Sequence, residues 1–141
     1  MNSFGRYGAG HGEFKNPASV CTDGEAHIIV VDFNNYRVQV LTRDGVTTLE
    51  FGDNDLEKLH YPIGCVYYKN VFVVADSGNG CLKVFDSSGT FLRMTGERSN
   101  ADRELENPWG LCVDKHGHIL VSDPFSGHVK QFTTAGHWEN L

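Results

Sequence analysis

A proline, a short apolar run, a Gly-centred turn and a second apolar run closed by Asp recur three times along this chain of 141 residues. Pro17, Pro62 and Pro108 open the units, Asp32, Asp76 and Asp123 close their second runs, and Gly45, Gly89 and Gly136 mark a later turn. The prolines stand 45 and 46 residues apart, the aspartates 44 and 47, and each Gly follows its Asp by 13. Spacing of this kind means stacked supersecondary units rather than one irregular core. The functional question becomes which side of an array binds, and what.

In the first unit, residues 18–22, 27–31, 36–41 and 46–51 are β-branched or aromatic runs split by Gly, Asp and Asn. Such runs predict four antiparallel strands. The second unit repeats them at 63–67, 71–75, 81–85 and 90–95. The third uses 109–113, 118–122, 128–132 and a last piece from His137. No stretch carries a helical period. Second runs are continuously apolar, so both their faces should be buried. Third runs alternate, as in Val38-Gln39-Val40, and suit a half-buried place further out. A four-stranded unit repeated at this interval is a propeller blade. The expected fold is all-β, a partial β-propeller of three four-stranded antiparallel blades.

Composition narrows the function. A net charge of -6 gives no global attraction to phosphate. No apolar stretch approaches the roughly 18 residues of a spanning helix, and nothing addresses a membrane. Cys21 and Cys112 fall at one place of the repeat, Cys65 one place earlier, and Cys81 opens a third run. They read as buried structural thiols of a reducing compartment, which places the chain in the cytoplasm. The seven histidines occupy unmatched places, and there is no phosphate loop or nucleophile elbow. No catalytic residue, metal or other cofactor is expected.

Glu13-Phe14-Lys15-Asn16-Pro17, Asn107-Pro108-Trp109-Gly110-Leu111, Val30-Val31-Asp32, Tyr36-Arg37-Val38-Gln39-Val40 and Phe51-Gly52 resemble NHL repeats. The resemblance covers residues 1–141, with units of roughly 4–45, 51–89 and 96–136. It implies a propeller that is usually six-bladed, of which three blades are half. The missing blades would come from the same longer chain or from a second copy paired head to tail. Tripartite-motif (TRIM) ubiquitin ligases carry such propellers as recognition modules for protein or RNA, and a copper/zinc-linked amidating lyase carries a similar one. The implied function is a non-catalytic scaffold that selects ligase substrates; the alternatives are RNA binding and a lyase-like enzyme fragment.

Antiparallel hairpins place the pre-proline loops (8–16, 53–61 and 97–107) on one rim with the turns after Asp32, Asp76 and Asp123. These loops are the longest and most varied, and so the natural place for a partner. Lys15, Arg37, Lys58, Arg98 and Arg103 face eight acidic side chains there, which disfavours RNA and favours a protein or peptide. Candidate contacts are Phe33, Tyr36, Arg37, Phe125, His128, Lys15, Arg98 and Arg103. Asp32, Asp76 and Asp123 should cap the turns that follow them, Pro17, Pro62 and Pro108 are structural, and Trp109 should pack in the core.

Overall fold

The structure, a computed structural model, describes residues 1–54, 57–96 and 105–132. It holds three antiparallel sheets in chain order. The first contains β1 (Pro17–Thr22), β2 (Ile28–Asp32), β3 (Arg37–Leu41) and β4 (Thr47–Phe51). The second contains β5 (Pro62–Tyr68), β6 (Val71–Asp76), β7 (Cys81–Asp86) and β8 (Phe91–Thr95). The third contains β9 (Leu111–Val113), β10 (Ile119–Asp123) and β11 (His128–Phe132). The fourth strand expected from His137 lies outside the described residues. Each sheet is a meander of neighbouring strands, the form of a propeller blade, and the whole is an open, partial propeller.

Alternation along the strands gives every blade two apolar sides. Ile29, Val31, Val38 and Val40 of blade 1 pack against Phe72, Val74 and Phe85 of blade 2, with Leu59 wedged between. Val73, Ala75, Leu82 and Val84, the other side of blade 2, pack against Ile119, Val121 and Phe132 of blade 3, with Leu105 in the same wedge position. The continuous apolar run of β6 follows from this double burial, whereas β2 is covered on one side only, with Ile28 and Val30 half-buried on the other.

Two expectations are corrected here. The third strands of blades 1 and 2 are not half-buried: all five residues of β3 are buried, as are the first five of β7, while β11 of blade 3 is mostly exposed. Gln39, the polar member of the alternation, lies beneath the pre-proline loop. It accepts from the Gly12 N–H (3.0 Å) and donates to the Glu13 carbonyl (2.8 Å), so polarity marks a covered hydrogen-bonding site rather than solvent. Trp109 is not in the core but 46% exposed. It lies beside the innermost strands β1, β5 and β9, which border an open trough of about 580 Å³. Cys21, Cys65 and Cys112 also border it, half-buried, buried and exposed respectively.

Candidate interaction rim

Each strand-end aspartate holds the loop of its own blade by the main chain. The Lys15 N–H donates to Asp32 Oδ1 (2.8 Å), and the His60 N–H to Asp76 Oδ1 (2.7 Å). Both carboxylate oxygens of Asp123 accept, from the N–H groups of Glu106 and Asn107 (2.9 Å each). All three aspartates are buried. They therefore clamp the pre-proline loops, and Asp32 and Asp76 make no cap bond to the turns that follow them. Asn35 and Asn79, three residues on, donate to the second oxygens of Asp32 and Asp76. Turn and loop are tied directly as well: the Asn34 N–H donates to the Lys15 carbonyl and the Gly78 N–H to that of His60.

Two blades neutralise their carboxylates from different positions. In blade 1, Arg37 pairs with Asp32 (2.8 Å) and Glu50 (3.0 Å) and donates to the carbonyls of Ala9, Gly10 and Glu13. A guanidinium has five N–H donors, and these five acceptors use them all. In blade 2 the same place is Cys81, and the cation comes from Lys83, two residues along, at 2.8 Å from Asp76. Its ammonium also donates to the Lys58 carbonyl (3.0 Å), the counterpart of the Glu13 carbonyl that Gln39 reaches in blade 1. Lys130 holds that position in blade 3. Burial pushes the Asp123 carboxyl up, but the hydrogen bonds from Glu106, Asn107 and Ser126 together with the Lys130 charge hold it below the usual carboxylate range.

The sequence candidates divide accordingly. Arg37 is an internal clamp with every donor engaged. Lys15 is half-buried, with its ammonium 5.9 Å from the Tyr7 ring. Phe125 is 75% exposed and His128 is exposed, both at the blade 3 turn. Arg98 and Arg103 lie outside the described residues. Pro17 is exposed and pairs with Asp32; Pro62 and Pro108 are buried, the former opposite Asp76.

Phe33 and Tyr36 come together with two residues that the sequence did not single out. The Tyr36 ring stacks on His60 (5.1 Å between centroids) and meets Tyr61 edge-on (5.0 Å); Phe33 lies 5.2 Å from Tyr61. The Lys58 ammonium sits 5.5 Å from the Tyr36 ring, and a hydrogen bond with the Tyr61 hydroxyl pushes the Tyr36 phenol up from its ordinary value. The patch spans the joint between the turn of blade 1 and the loop of blade 2. The repeat shows that the fold does not require it: the matching places at the next joint are Ser77, Gly80, Glu106 and Asn107. There Ser77 donates to the Pro108 carbonyl, and Asn107 donates to the Ser77 carbonyl.

Tyr36 also breaks a backbone rule. The place has positive φ in every blade: 55° at Tyr36, 66° at Gly80 and 75° at Gly127. A side chain there costs about 1–2 kcal/mol relative to glycine, and only blade 1 carries one. That mismatch was readable in the sequence, as Tyr where the repeat has Gly.

On the opposite rim Asp23, Glu25 and His27 bring three potential ligand atoms within 4.8 Å of one another. Asp23 is already engaged by the N–H groups of Glu25 and His27 and by the His27 ring at 2.6 Å. Blade 3 repeats the hairpin with Asp114 and His118, so His27 and His118 occupy matched places, contrary to the sequence reading. It is a turn brace.

The family description "NHL repeat" matches residues 105–131, the described part of blade 3 with its loop. The chain carries an NHL repeat. Protein brain tumor of Drosophila melanogaster is 29% identical over 123 residues, covering 84% of this chain and 11% of its own length. B-box type zinc finger protein ncl-1 of Caenorhabditis elegans is 33% identical, over 84% of this chain and 14% of its own length. E3 ubiquitin-protein ligase TRIM32 of Homo sapiens is 27% identical, over 94% and 21%. The NHL chain thus spans between a tenth and about a fifth of these relatives. Among solved structures, streptogramin B lyase superposes with a TM-score of 0.61 at 17% identity, over 82% of this chain and 40% of that one, a likeness of fold alone.

Proposed function

We propose that the NHL blades act as a non-catalytic docking scaffold whose loop-rich rim binds a protein or peptide, and that they select substrates within a TRIM-type ubiquitin ligase. The observation that carries the reading is the Phe33, Tyr36, His60 and Tyr61 patch, built at one blade joint where the other uses small and polar residues. Rigid aromatics on a fixed rim are the usual anchors of protein partners. TRIM32 is named a ubiquitin ligase and supports the substrate-selecting role. Cys65 and Cys81 are buried thiols that form no disulfide, which suits work in the cytoplasm.

The test is selection of binding peptides from a displayed library, followed by affinity measurement on purified chain. Phe33→Ala with Tyr61→Ala should weaken the selected peptides at least tenfold while circular dichroism stays that of the parent. Unchanged affinity would sink the proposal. Tight binding of labelled single-stranded RNA that falls steeply with salt would replace it with the RNA reading.

A further inference from the structure

The innermost strands bring two thiols together across the joint between blades 1 and 2. In each unit the third residue after the opening proline faces the preceding blade's side, and the fourth faces the following one. Cys65 accordingly points from β5 towards blade 1 and Cys21 from β1 towards blade 2, and both pack in the apolar cluster between those blades. Cys112 is the fourth residue after Pro108 and faces away: its neighbours Leu111 and Val113 pack towards blade 2, while Cys112 is exposed. The pleat therefore pairs Cys21 with Cys65 and leaves Cys112 out.

Packing does not require sulfur at this joint. Between blades 2 and 3 the same two places are Val66 and Leu111, and both pack against the second apolar cluster. Blade joint 1–2 thus sets two reactive groups where its neighbour has two hydrocarbon ones. The two thiols share a hydrogen bond. Both also border the open trough of about 580 Å³, which admits a small solute, and Cys21 is the less buried of the two.

We propose that Cys21 and Cys65 form a peroxide-sensitive dithiol, Cys21 attacking and Cys65 resolving, that closes to a disulfide between blades 1 and 2. The Cys21 thiolate attacks hydrogen peroxide; an S–O bond forms as the O–O bond breaks, leaving a sulfenic acid and a hydroxide that is protonated to water. The Cys65 sulfur then attacks the Cys21 sulfur, an S–S bond forms, and the hydroxyl leaves as water with the Cys65 proton. Two thiols are oxidised by two electrons, and the peroxide is reduced to two waters. The thiolate is the nucleophile in such chemistry. The bond from Cys65 holds the Cys21 thiol below its ordinary value against burial and the Asp23 charge, whereas Cys65 is pushed well above its own. An accessible, readily ionised thiol beside a resolving one is how redox-sensing cysteines are arranged. The link falls at the joint that carries Phe33 and Tyr36 on one blade and His60 and Tyr61 on the other, so it braces the two halves of the aromatic patch.

The test is hydrogen peroxide in modest excess on the reduced, purified chain, followed by peptide mapping without reductant. Cys21 and Cys65 should be joined, in a yield that does not depend on protein concentration. The thermal midpoint should rise by about 5 °C or more and return with dithiothreitol. Cys65→Ala lacks the resolving thiol, so dimedone should trap a sulfenic acid at Cys21. Cys112→Ala should link as the parent does, and Cys21→Ala should neither link nor label at Cys65. No link, a link through Cys81 or Cys112, a link between copies, or a lowered midpoint would overturn the proposal, and none of these results bears on the rim reading.

Discussion

The Arg37 guanidinium meets the Asp32 carboxylate at 2.8 Å with both side chains almost wholly out of water, and its remaining donors fasten the loop from Ala9 to Glu13. One side chain therefore neutralises a buried charge and fixes a rim loop. Arg37→Ala should cost about 3–5 kcal/mol, because it leaves a buried carboxylate without its cation. Arg37→Lys should recover part of that, since an ammonium restores the charge but not the planar fork. Urea unfolding reads both; a loss under about 1 kcal/mol for the alanine variant would refute the clamp.

Blade 2 offers a swap. Lys83→Gln imitates Gln39 but strips Asp76 of its cation, and should destabilise by about 2 kcal/mol or more. Adding Cys81→Arg places the charge where blade 1 has it and should restore most of the loss. A double-mutant cycle measures this coupling; additive effects would show that the two positions do not share the role.

Tyr36→Gly relieves a positive-φ side chain but removes ring contacts worth about 0.5–1.5 kcal/mol each. The two effects oppose each other, so the unfolding midpoint should barely move. Affinity for a selected peptide should still fall at least tenfold. A variant that binds like the parent would make Tyr36 a bystander.

Acid should loosen the hairpins before it alters the aromatic patch. The Thr90 N–H beside Asp86 and the His118 N–H beside Asp114 hold those carboxylates below their ordinary value of 3.8. A folded-state pKa below the unfolded one gives stability that is complete above the unfolded value and lost as pH falls through the folded one. Thermal midpoints should therefore drop as pH falls below 3.8, and Asp86→Asn with Asp114→Asn should flatten the decline. An unchanged slope would contradict the assignment.

The trough thiols should differ in reactivity. A hydrogen bond from Cys65 holds the Cys21 thiol below its ordinary value, while that bond and burial push Cys65 well above its own. Iodoacetamide near neutral pH should alkylate Cys21 well before Cys65, and Cys65→Ala should slow Cys21. Peptide mass mapping over time decides it.

Period and punctuation made the blades legible, because Pro17, Asp32 and Gly45 each answer a local geometric need that recurs. The rim was less so. Arg37 read as a contact because its place in a repeat says nothing of the carbonyls that loop closure brings around it. Lys83 escaped notice because its charge lies two residues from where blade 1 keeps its own. His60 and Tyr61 were invisible as partners of Tyr36, since the joint between two blades forms only when they stack. Trp109 read as core from its apolar neighbours, whereas its strand borders the trough.

The aspartate clamps grip the pre-proline loops through main-chain N–H groups, which every residue except proline possesses. The side chains at Lys15, His60 and Glu106 take no part in these clamp bonds, and that of Asn107 adds a bond to the Ser77 carbonyl. Substitution can rewrite what each loop displays while the sheet beneath keeps its register, so recognition chemistry on this rim can change one blade at a time.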